Sequence, residues 1–294
     1  MNFKRRQFIK TAGAVAAGIS LPSFASNLFA ENQAQRSARV FGIQLYGLRD
    51  MMGKDAKHVI KTLATQGYNY VESFDSPQGG LYFGMGNKNF KALLDDVNLK
   101  MHSLHTNILH IDFEKKVEEA ASINVKYLLY GWEGPGKTLD DYKKMADDFN
   151  AKGAFCKQHG ICFGFHNHDF TFKEIDGLLP QEILLDRTDK NLVDFQVDFY
   201  WVITGRKDPV AHINKYPDRY KLCHFKDRSQ GATEREGTAI CELGTGAIDF
   251  ASILAQTKSA SIKYYIVDQD NCNDRQNPFA CTQTDADYMK QLKW

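Results

Sequence analysis

Three observations predict a closed (β/α)8 TIM barrel, an α/β fold, for residues 39–294. Eight short apolar runs alternate with longer amphipathic stretches, which is the pattern of strands separated by crossover helices. The segment is long enough for one barrel of this kind. No glycine-rich GxGxxG turn follows the first run, although the alternative, a doubly wound dinucleotide-binding sheet, would carry one there.

The eight predicted strands occupy the apolar runs. They are 40–46, 68–74, 100–106, 125–131, 161–168, 192–198, 220–226 and 262–268. Helical periodicity is clear over 55–66, 113–123 and 138–160, and Gly160 is a stop signal immediately before the fifth strand. Residues 228–249 are rich in glycine and charge. They predict a long loop over one mouth of the barrel.

The first thirty residues are typical of an export signal followed by a leader. The paired Arg5 and Arg6 precede a short apolar stretch, and Ser23 and Ala25 have the small-x-small spacing of a cleavage site. The arginine pair resembles the twin-arginine type, which predicts a periplasmic location in a bacterium. The alternative is an N-terminal membrane anchor, but the stretch is short and rich in glycine and alanine for a permanent span.

The charge balance argues against nucleic acid and anionic lipid as partners. The chain has 37 basic and 36 acidic residues, and cleavage after Ala25 would leave 33 basic residues against the same 36 acids. A chain so close to neutral lacks the broad positive field that binds polyanions. We therefore expect a small-molecule partner, no nucleic acid, and no stable membrane span after signal removal.

Cysteine usage indicates no dense disulfide framework. Six cysteines are present without a CxxC pair. Cys272 and Cys281 are near enough in sequence for a disulfide to form after export.

Polar side chains cluster at the carboxyl ends of the predicted strands. In a barrel these ends meet at one face, so residues distant in sequence come together there. The strand-end residues are Glu72, Asp75, His102, His105, His166, His168, Asp198, His224, Lys226, Asp227, Asp268 and Asp270.

Four of these residues form the predicted metal site: His166, Asp198, His224 and Asp268. Imidazole and carboxylate groups together suit one divalent ion, either Mn, Co, Zn or Mg. Residues two apart on a strand share a face, which places His166 with His168 and His224 with Lys226.

Several of the strand-end residues also have a purely structural interpretation. Asp198 alone would be read as the cap of the following helix, His102 as a packed core group, and Asp227 and Asp270 as hydrogen-bonding loop residues. Four further histidines are expected to face solvent from helices or loops. They are His58, His110, His159 and His212.

A series of motifs resembles the sugar phosphate isomerase/epimerase family with the xylose isomerase-like barrel. In chain order the motifs are "GFHNHDF", "FQVDFYWVITGRKDPV", "CHFKD", "ELGTGAIDF" and "YYIVDQD". The resemblance extends over residues 39–294 and implies a metal held by Glu, Asp, His and Glu from strands five to eight. Here His166 and Asp268 replace the two glutamates, and His168 is the alternative first ligand.

The resemblance also implies roles for the other strand-end residues. His168, Lys226 and Glu72 are the expected catalytic groups, while His105, Tyr46, Trp201 and Asp270 are expected to bind substrate. The implied chemistry is removal of a proton next to a carbonyl of a sugar or glycoside. Isomerisation, epimerisation or elimination from a 3-keto-glycoside would follow, and an oxidoreductase that forms the keto-sugar would act upstream.

Two other functions are compatible with parts of the sequence. A sugar-binding barrel with an incomplete metal site is favoured by Asp268, whose side chain is shorter than glutamate by one methylene. An abasic-site endonuclease would need more histidine ligands and a basic groove, and the near-neutral charge argues against it.

Overall fold

The computed structural model describes residues 40–77, 79–107, 112–132, 134–233, 238–257 and 261–293. Eight parallel strands close into a barrel in the order β1-β10-β7-β6-β5-β4-β3-β2, and a separate antiparallel pair is formed by β8 and β9. The predicted barrel is confirmed. The strands are β1 (Gly42–Gln44), β2 (Tyr70–Phe74), β3 (Lys100–Thr106), β4 (Tyr127–Tyr130), β5 (Cys162–His166), β6 (Val193–Asp198), β7 (Tyr220–Phe225), β8 (Asp227–Arg228), β9 (Ile240–Cys241) and β10 (Tyr264–Val267).

Helices follow the barrel strands along the chain. They are α1 (Arg49–Gln66), α2 (Asn87–Asp96), α3 (Phe113–Ser122), α4 (Leu139–Gln158), α5 (Pro180–Arg187), α6 (Phe199–Thr204), α7 (Pro209–Lys215), α8 (Phe250–Gln256) and α9 (Pro278–Gln291). None of these described helices combines the length and the hydrophobicity that crossing a membrane requires.

Capping side chains set the ends of the longest helices. Thr138 accepts the N–H of Asp141, whose carboxylate in turn accepts the N–H of Thr138, so a capping box begins α4. Inside α1, Asp55 leaves helical geometry and accepts the N–H of His58. The predicted helix at 55–66 therefore matches the second part of α1, and the six residues that precede Asp55 extend it.

The interior of the barrel changes from apolar to polar along its axis. Tyr70, Tyr127, Leu129, Leu222 and Ile266 form a buried apolar cluster inside the barrel. Inward positions beyond this cluster toward the carboxyl ends are polar, because the two-residue period of β2 and β7 places Glu72 and His224 there. The apolar cluster therefore packs beneath the polar residues, on the side of the amino ends of the strands.

The segment predicted as one long loop, 228–249, is partly ordered by pairing. Arg228 pairs with Ile240 across the β8–β9 ladder. The buried Asp227 carboxylate accepts four backbone N–H groups, those of Arg228, Gly244, Gly246 and Ile248. Asp227 is thus a structural residue, as its alternative interpretation proposed.

The prediction that four histidines face solvent holds for one and fails for another. His58 is exposed and His159 is half-buried, whereas His110 lies outside the described residues. His212 is buried, because α7 turns its ring inward and places Nε2 2.7 Å from the Tyr220 hydroxyl. This contact was not visible in the sequence pattern.

A disulfide joins Cys272 to Cys281, the two cysteines whose closeness in sequence allowed one. It connects the turn that follows β10 to α9. Since Asp268 and Asp270 precede this turn, the disulfide anchors the segment that carries them.

Candidate active site

Glu72 is the centre of the polar layer. Its side chain has no exposed surface, and five donors surround its two oxygens. The carboxylate lies close to Gln44 Nε2 (2.9 Å), Ser103 Oγ (2.6 Å), Gln196 Nε2 (2.9 Å), His224 Nε2 (2.6 Å) and His105 Nε2 (3.0 Å). Although burial opposes ionisation, the imidazoles of His105 and His224 hold the pKa of Glu72 well below its usual range. Glu72 is therefore a buried anion that orients its neighbours.

His224 links Glu72 to two further carboxylates. Its Nδ1 lies 3.1 Å from Oδ2 of Asp268 and 3.9 Å from Oδ2 of Asp198. Burial alone would lower the pKa of this histidine, but Glu72 and Asp268 raise it to about 10. The ring is therefore a positively charged imidazolium when no other cation is close.

Lys226 lies among three carboxylates. Its Nζ is 2.7 Å from Asp268 Oδ2, 2.7 Å from Asp270 Oδ2 and 3.7 Å from Asp198 Oδ2. Despite burial, these carboxylates raise the pKa of Lys226 well above its ordinary value, so the group stays an ammonium. Burial raises the pKa of Asp198 to about 6 against the opposing effect of Lys226.

Asp198 has both the structural and the site role that the sequence left open. Its Oδ1 accepts the N–H of Trp201 and caps α6. Its Oδ2 is buried and has no hydrogen-bond partner among the described residues, and the same is true of Oδ1 of Asp268. Buried carboxylate oxygens without partners are costly. Two such atoms on either side of His224 therefore indicate that a ligand completes the site.

These atoms fit a divalent cation. One ligand atom each from Asp198, His224 and Asp268 lies within 4.8 Å of the others, and a second group is formed in the same way by His105, His166 and His224. The two groups share only His224. A metal on Nδ1 of His224 would leave Nε2–H to donate to Glu72, the arrangement that orients metal-bound imidazoles in proteins.

His166 is the last residue of β5, and His168 follows it with its ring centroid 4.8 Å away. His166 is buried with Nδ1 2.9 Å from Gln196 Oε1. His168 lies beyond the end of β5, because the strand ends two residues earlier than predicted. Its Nδ1 has no partner among the described residues. Burial lowers the pKa of both rings well below the ordinary value, so both are neutral imidazoles.

A cavity of about 440 Å³ opens above this layer. This size is typical of small-molecule sites. Lys226, Asp268, Asp270, His166 and His168 line its polar part. Glu72, Asp198 and His224 lie beneath it, fully buried.

The structure brings most of the predicted site residues to one face. The predicted substrate-binding residues His105, Tyr46, Trp201 and Asp270 all line the cavity. His102 does not: its ring is half-buried and packs against Tyr70 and Tyr264, 5.1 and 5.0 Å away.

Sequence reasoning missed several residues of the site. Gln44 and Ser103 precede Tyr46 and His105 by two positions, so the strand period could have identified both. Trp132, which lines the cavity, follows β4 by two residues. Its position just after a strand was the only signal.

Comparison with known proteins confirms the twin-arginine signal and the fold. Residues 2–22 match the twin-arginine translocation pathway signal sequence, which indicates export. A sugar phosphate isomerase/epimerase from Parabacteroides distasonis superposes with a TM-score of 0.75 at 25% identity, over 88% of this chain and 97% of that one. The resemblance to xylose isomerase-like barrels is thereby confirmed.

More distant solved structures share the fold alone. One is the IolI protein with a bound zinc atom, at 12% identity and a TM-score of 0.69 over 87% of this chain and 99% of that one. Another is a xylose isomerase-like TIM barrel protein from Mycobacterium smegmatis in complex with magnesium, at 12% identity and a TM-score of 0.65 over 87% of this chain and 96% of that one.

Curated relatives match a shorter part of the chain. The inosose dehydratase of Lacticaseibacillus casei is 27% identical over 158 residues, which is 49% of this chain and 52% of the relative. The inosose dehydratase of Salmonella typhimurium is 24% identical over 178 residues, or 54% and 57%. The chain thus spans about half the length of the curated relatives that it matches.

Proposed function

We propose that this protein is an exported, divalent-metal-dependent enzyme that removes a proton next to a carbonyl group of a sugar. The observation that carries the proposal is the pair of buried oxygens without hydrogen-bond partners, on Asp198 and Asp268 on either side of His224, directly below a cavity lined by Lys226 and His168. Structural neighbours named as isomerases, epimerases and dehydratases support the reaction class. Epimerisation and dehydration next to a carbonyl can share this first step.

Asp198, His224 and Asp268 would hold the metal. His166 would lie next to it, in the group that it forms with His105 and His224. A bound divalent ion supplies Lewis acidity at the carbonyl and an adjacent hydroxyl oxygen. We retain Mn, Co, Zn and Mg as candidates. The leader supports a periplasmic location for the folded protein.

We assign the proton transfer to His168. The neutral ring of His168 lines the cavity and suits a general base. When the C–H bond breaks, its proton passes to the imidazole and the electron pair moves to the carbonyl oxygen, giving an enediolate. The Lys226 ammonium would donate a hydrogen bond to that oxygen and stabilise its negative charge.

Glu72 is assigned a positioning role instead of the expected catalytic one. It has no exposed surface and cannot touch a sugar in the cavity. Through His224 and His105 it would fix one metal ligand and one substrate-binding ring. Asp270 and His105 would bind sugar hydroxyls, and Tyr46 and Trp201 would cover apolar faces of the sugar.

The alternative is a sugar-binding barrel without catalysis. The contact that favours it is the 2.7 Å ion pair between Lys226 and Asp268, which uses one oxygen of a proposed ligand. If the enzyme acts on a 3-keto-glycoside, an oxidoreductase acting earlier would supply the keto-sugar.

Proton exchange separates the two functions. The mature protein is incubated in deuterated water with free ketoses and 3-keto-glycosides, with and without EDTA, and deuterium at carbon is followed by NMR. The enzyme should incorporate deuterium next to the carbonyl of at least one compound, and EDTA should abolish this. Binding of the compounds without any exchange in metal-supplemented buffer would support the binder.

A further inference from the structure

Two aromatic side chains stand exposed at the mouth of the cavity. Among the described residues the exposed large apolar side chains are Val40, Tyr46, Trp132 and Leu178. Tyr46 is 43% exposed and Trp132 is 60% exposed, and both line the cavity. Exposed apolar surface concentrated at a pocket mouth is typical of a place that a ligand covers.

Trp132 is held in place by two other rings. Its ring centroid lies 4.6 Å from that of His168 and 5.6 Å from that of Phe170, nearly perpendicular to both. His168 and Phe170 are themselves parallel, at 5.6 Å. The indole is therefore fixed at one side while most of its surface stays open. A rigid, open aromatic surface loses little entropy when a ligand covers it.

Tyr46 occupies another part of the mouth. It follows β1, whereas Trp132 follows β4, three strands away around the barrel. The Tyr46 ring packs at 5.3 Å against Phe74, and the Arg49 guanidinium lies 4.7 Å from the ring centroid. Aromatic rings thus lie at two separate sides of the mouth. Lys226 and the carboxylates that contact it lie at the floor.

His168 lies between these two environments. It contacts Trp132 at the mouth and lines the same cavity as Lys226 at the charged floor. A substituent that extends from a sugar at the floor past His168 would meet the Trp132 ring. A free sugar would leave this aromatic surface uncovered.

We propose that Trp132 forms an outer subsite for an apolar, planar aglycone, so that the substrate is a glycoside and not a free monosaccharide. This inference rests on the proposed function, since it places the keto-sugar at the floor of the cavity. Stacking on the open indole face selects the aglycone, and contacts at the floor select the sugar.

The test uses unreactive ligands, so that binding is measured without chemistry. Phenyl β-D-glucoside and methyl β-D-glucoside, which have no ketone, are titrated into the mature protein by calorimetry. The phenyl compound should bind about fivefold tighter than the methyl compound, the gain that one aromatic contact supplies. Trp132→Ala should remove this preference, and Trp132→Phe should keep part of it.

Leu178→Ala is the matched control. Leu178 is also an exposed apolar residue, at 53%, but it lines a different surface depression. This variant should keep the full preference for the phenyl compound. Equal affinities for the two glucosides in the native protein, absence of phenyl glucoside binding, or an unchanged preference in Trp132→Ala would each overturn the subsite.

The deuterium-exchange experiment keeps this test separate from the proposed function. Loss of the phenyl preference in Trp132→Ala, together with no exchange on any keto-sugar, would support the subsite and refute the catalytic proposal. Exchange on free ketoses combined with an unchanged phenyl preference in Trp132→Ala would support the catalytic proposal and refute the subsite.

Discussion

Nε2 of His224 lies 2.6 Å from Oε1 of Glu72, and neither side chain has exposed surface. The contact leaves Nδ1 of the same ring directed at Asp268 and Asp198. Glu72 thus determines which nitrogen of His224 would be available to a metal. Buried carboxylate partners of this kind orient histidine ligands in metalloproteins.

Glu72→Gln should weaken metal binding. The amide keeps the volume of the side chain but is a poorer acceptor for His224, so the imidazole is less basic and less well oriented. We expect metal affinity to fall about 10- to 100-fold, measured by competition with a chromophoric chelator. Glu182→Gln, on the surface beside Lys215, is the control and should bind metal normally. Equal affinities for both variants would contradict the positioning role.

Gly131→Ala should disturb the site through His105. A Cβ atom at position 131 would lie 2.5 Å from Nδ1 of His105. The ring would have to move, although its Nε2 lies 2.8 Å from Gln196 Oε1 and 3.0 Å from Glu72. We expect kcat/KM for deuterium exchange to fall by up to about 100-fold.

A double-variant comparison identifies the route of this effect. In a His105→Ala background, Gly131→Ala should cause little further loss, because the ring it displaces is already absent. An undiminished effect of Gly131→Ala in that background would show that it acts elsewhere.

His212 should make the protein sensitive to mild acid. Burial lowers its pKa to about 4, whereas an unfolded histidine titrates near 6.5. The unfolded state therefore binds more protons between these values, so this contribution to stability is complete above pH 6.5 and lost as the pH falls toward 4. The contribution is about 3 kcal/mol at most.

Urea unfolding at several pH values measures this contribution. The free energy of unfolding should rise less between pH 4 and 6.5 in His212→Gln than in the native protein. His58→Gln, at an exposed histidine, should keep the native slope. The same slope in all three proteins would show that His212 does not titrate as its burial requires.

The disulfide should stabilise the folded protein by about 2.5 kcal/mol, the chain-entropy value for a loop of this size. Cys272 and Cys281 are nine residues apart in sequence. Dithiothreitol should lower the urea midpoint of the native protein, and should leave the midpoint of a Cys272→Ser, Cys281→Ser double variant unchanged. A native midpoint that does not respond to the reductant would contradict a stabilising role.

The barrel and the face of the site could be predicted because both depend on local pattern. Alternation of strands and helices identified the fold, and the carboxyl-end rule brought Asp198, His224 and Asp268 together. His168 entered the site by the same rule even though β5 ends before it.

Residues whose role depends on packing could not be predicted. The burial of His212 depends on Tyr220, which is on another element. The enclosure of Glu72 requires donors from several strands, and no single segment contains that information. Trp132 follows an ordinary apolar strand, and only the cavity beside it reveals its exposure.

The most direct test of the metal site is the metal content of the purified mature protein, measured by inductively coupled plasma mass spectrometry after dialysis against each candidate ion. The native protein should retain about one divalent ion per chain. Asp198→Asn, which keeps the helix cap but loses the anionic ligand, should retain almost none. Asp194→Asn changes an aspartate of the same strand, four residues earlier, and should retain the native amount. A native protein without metal, or Asp198→Asn with native metal content, would contradict the account.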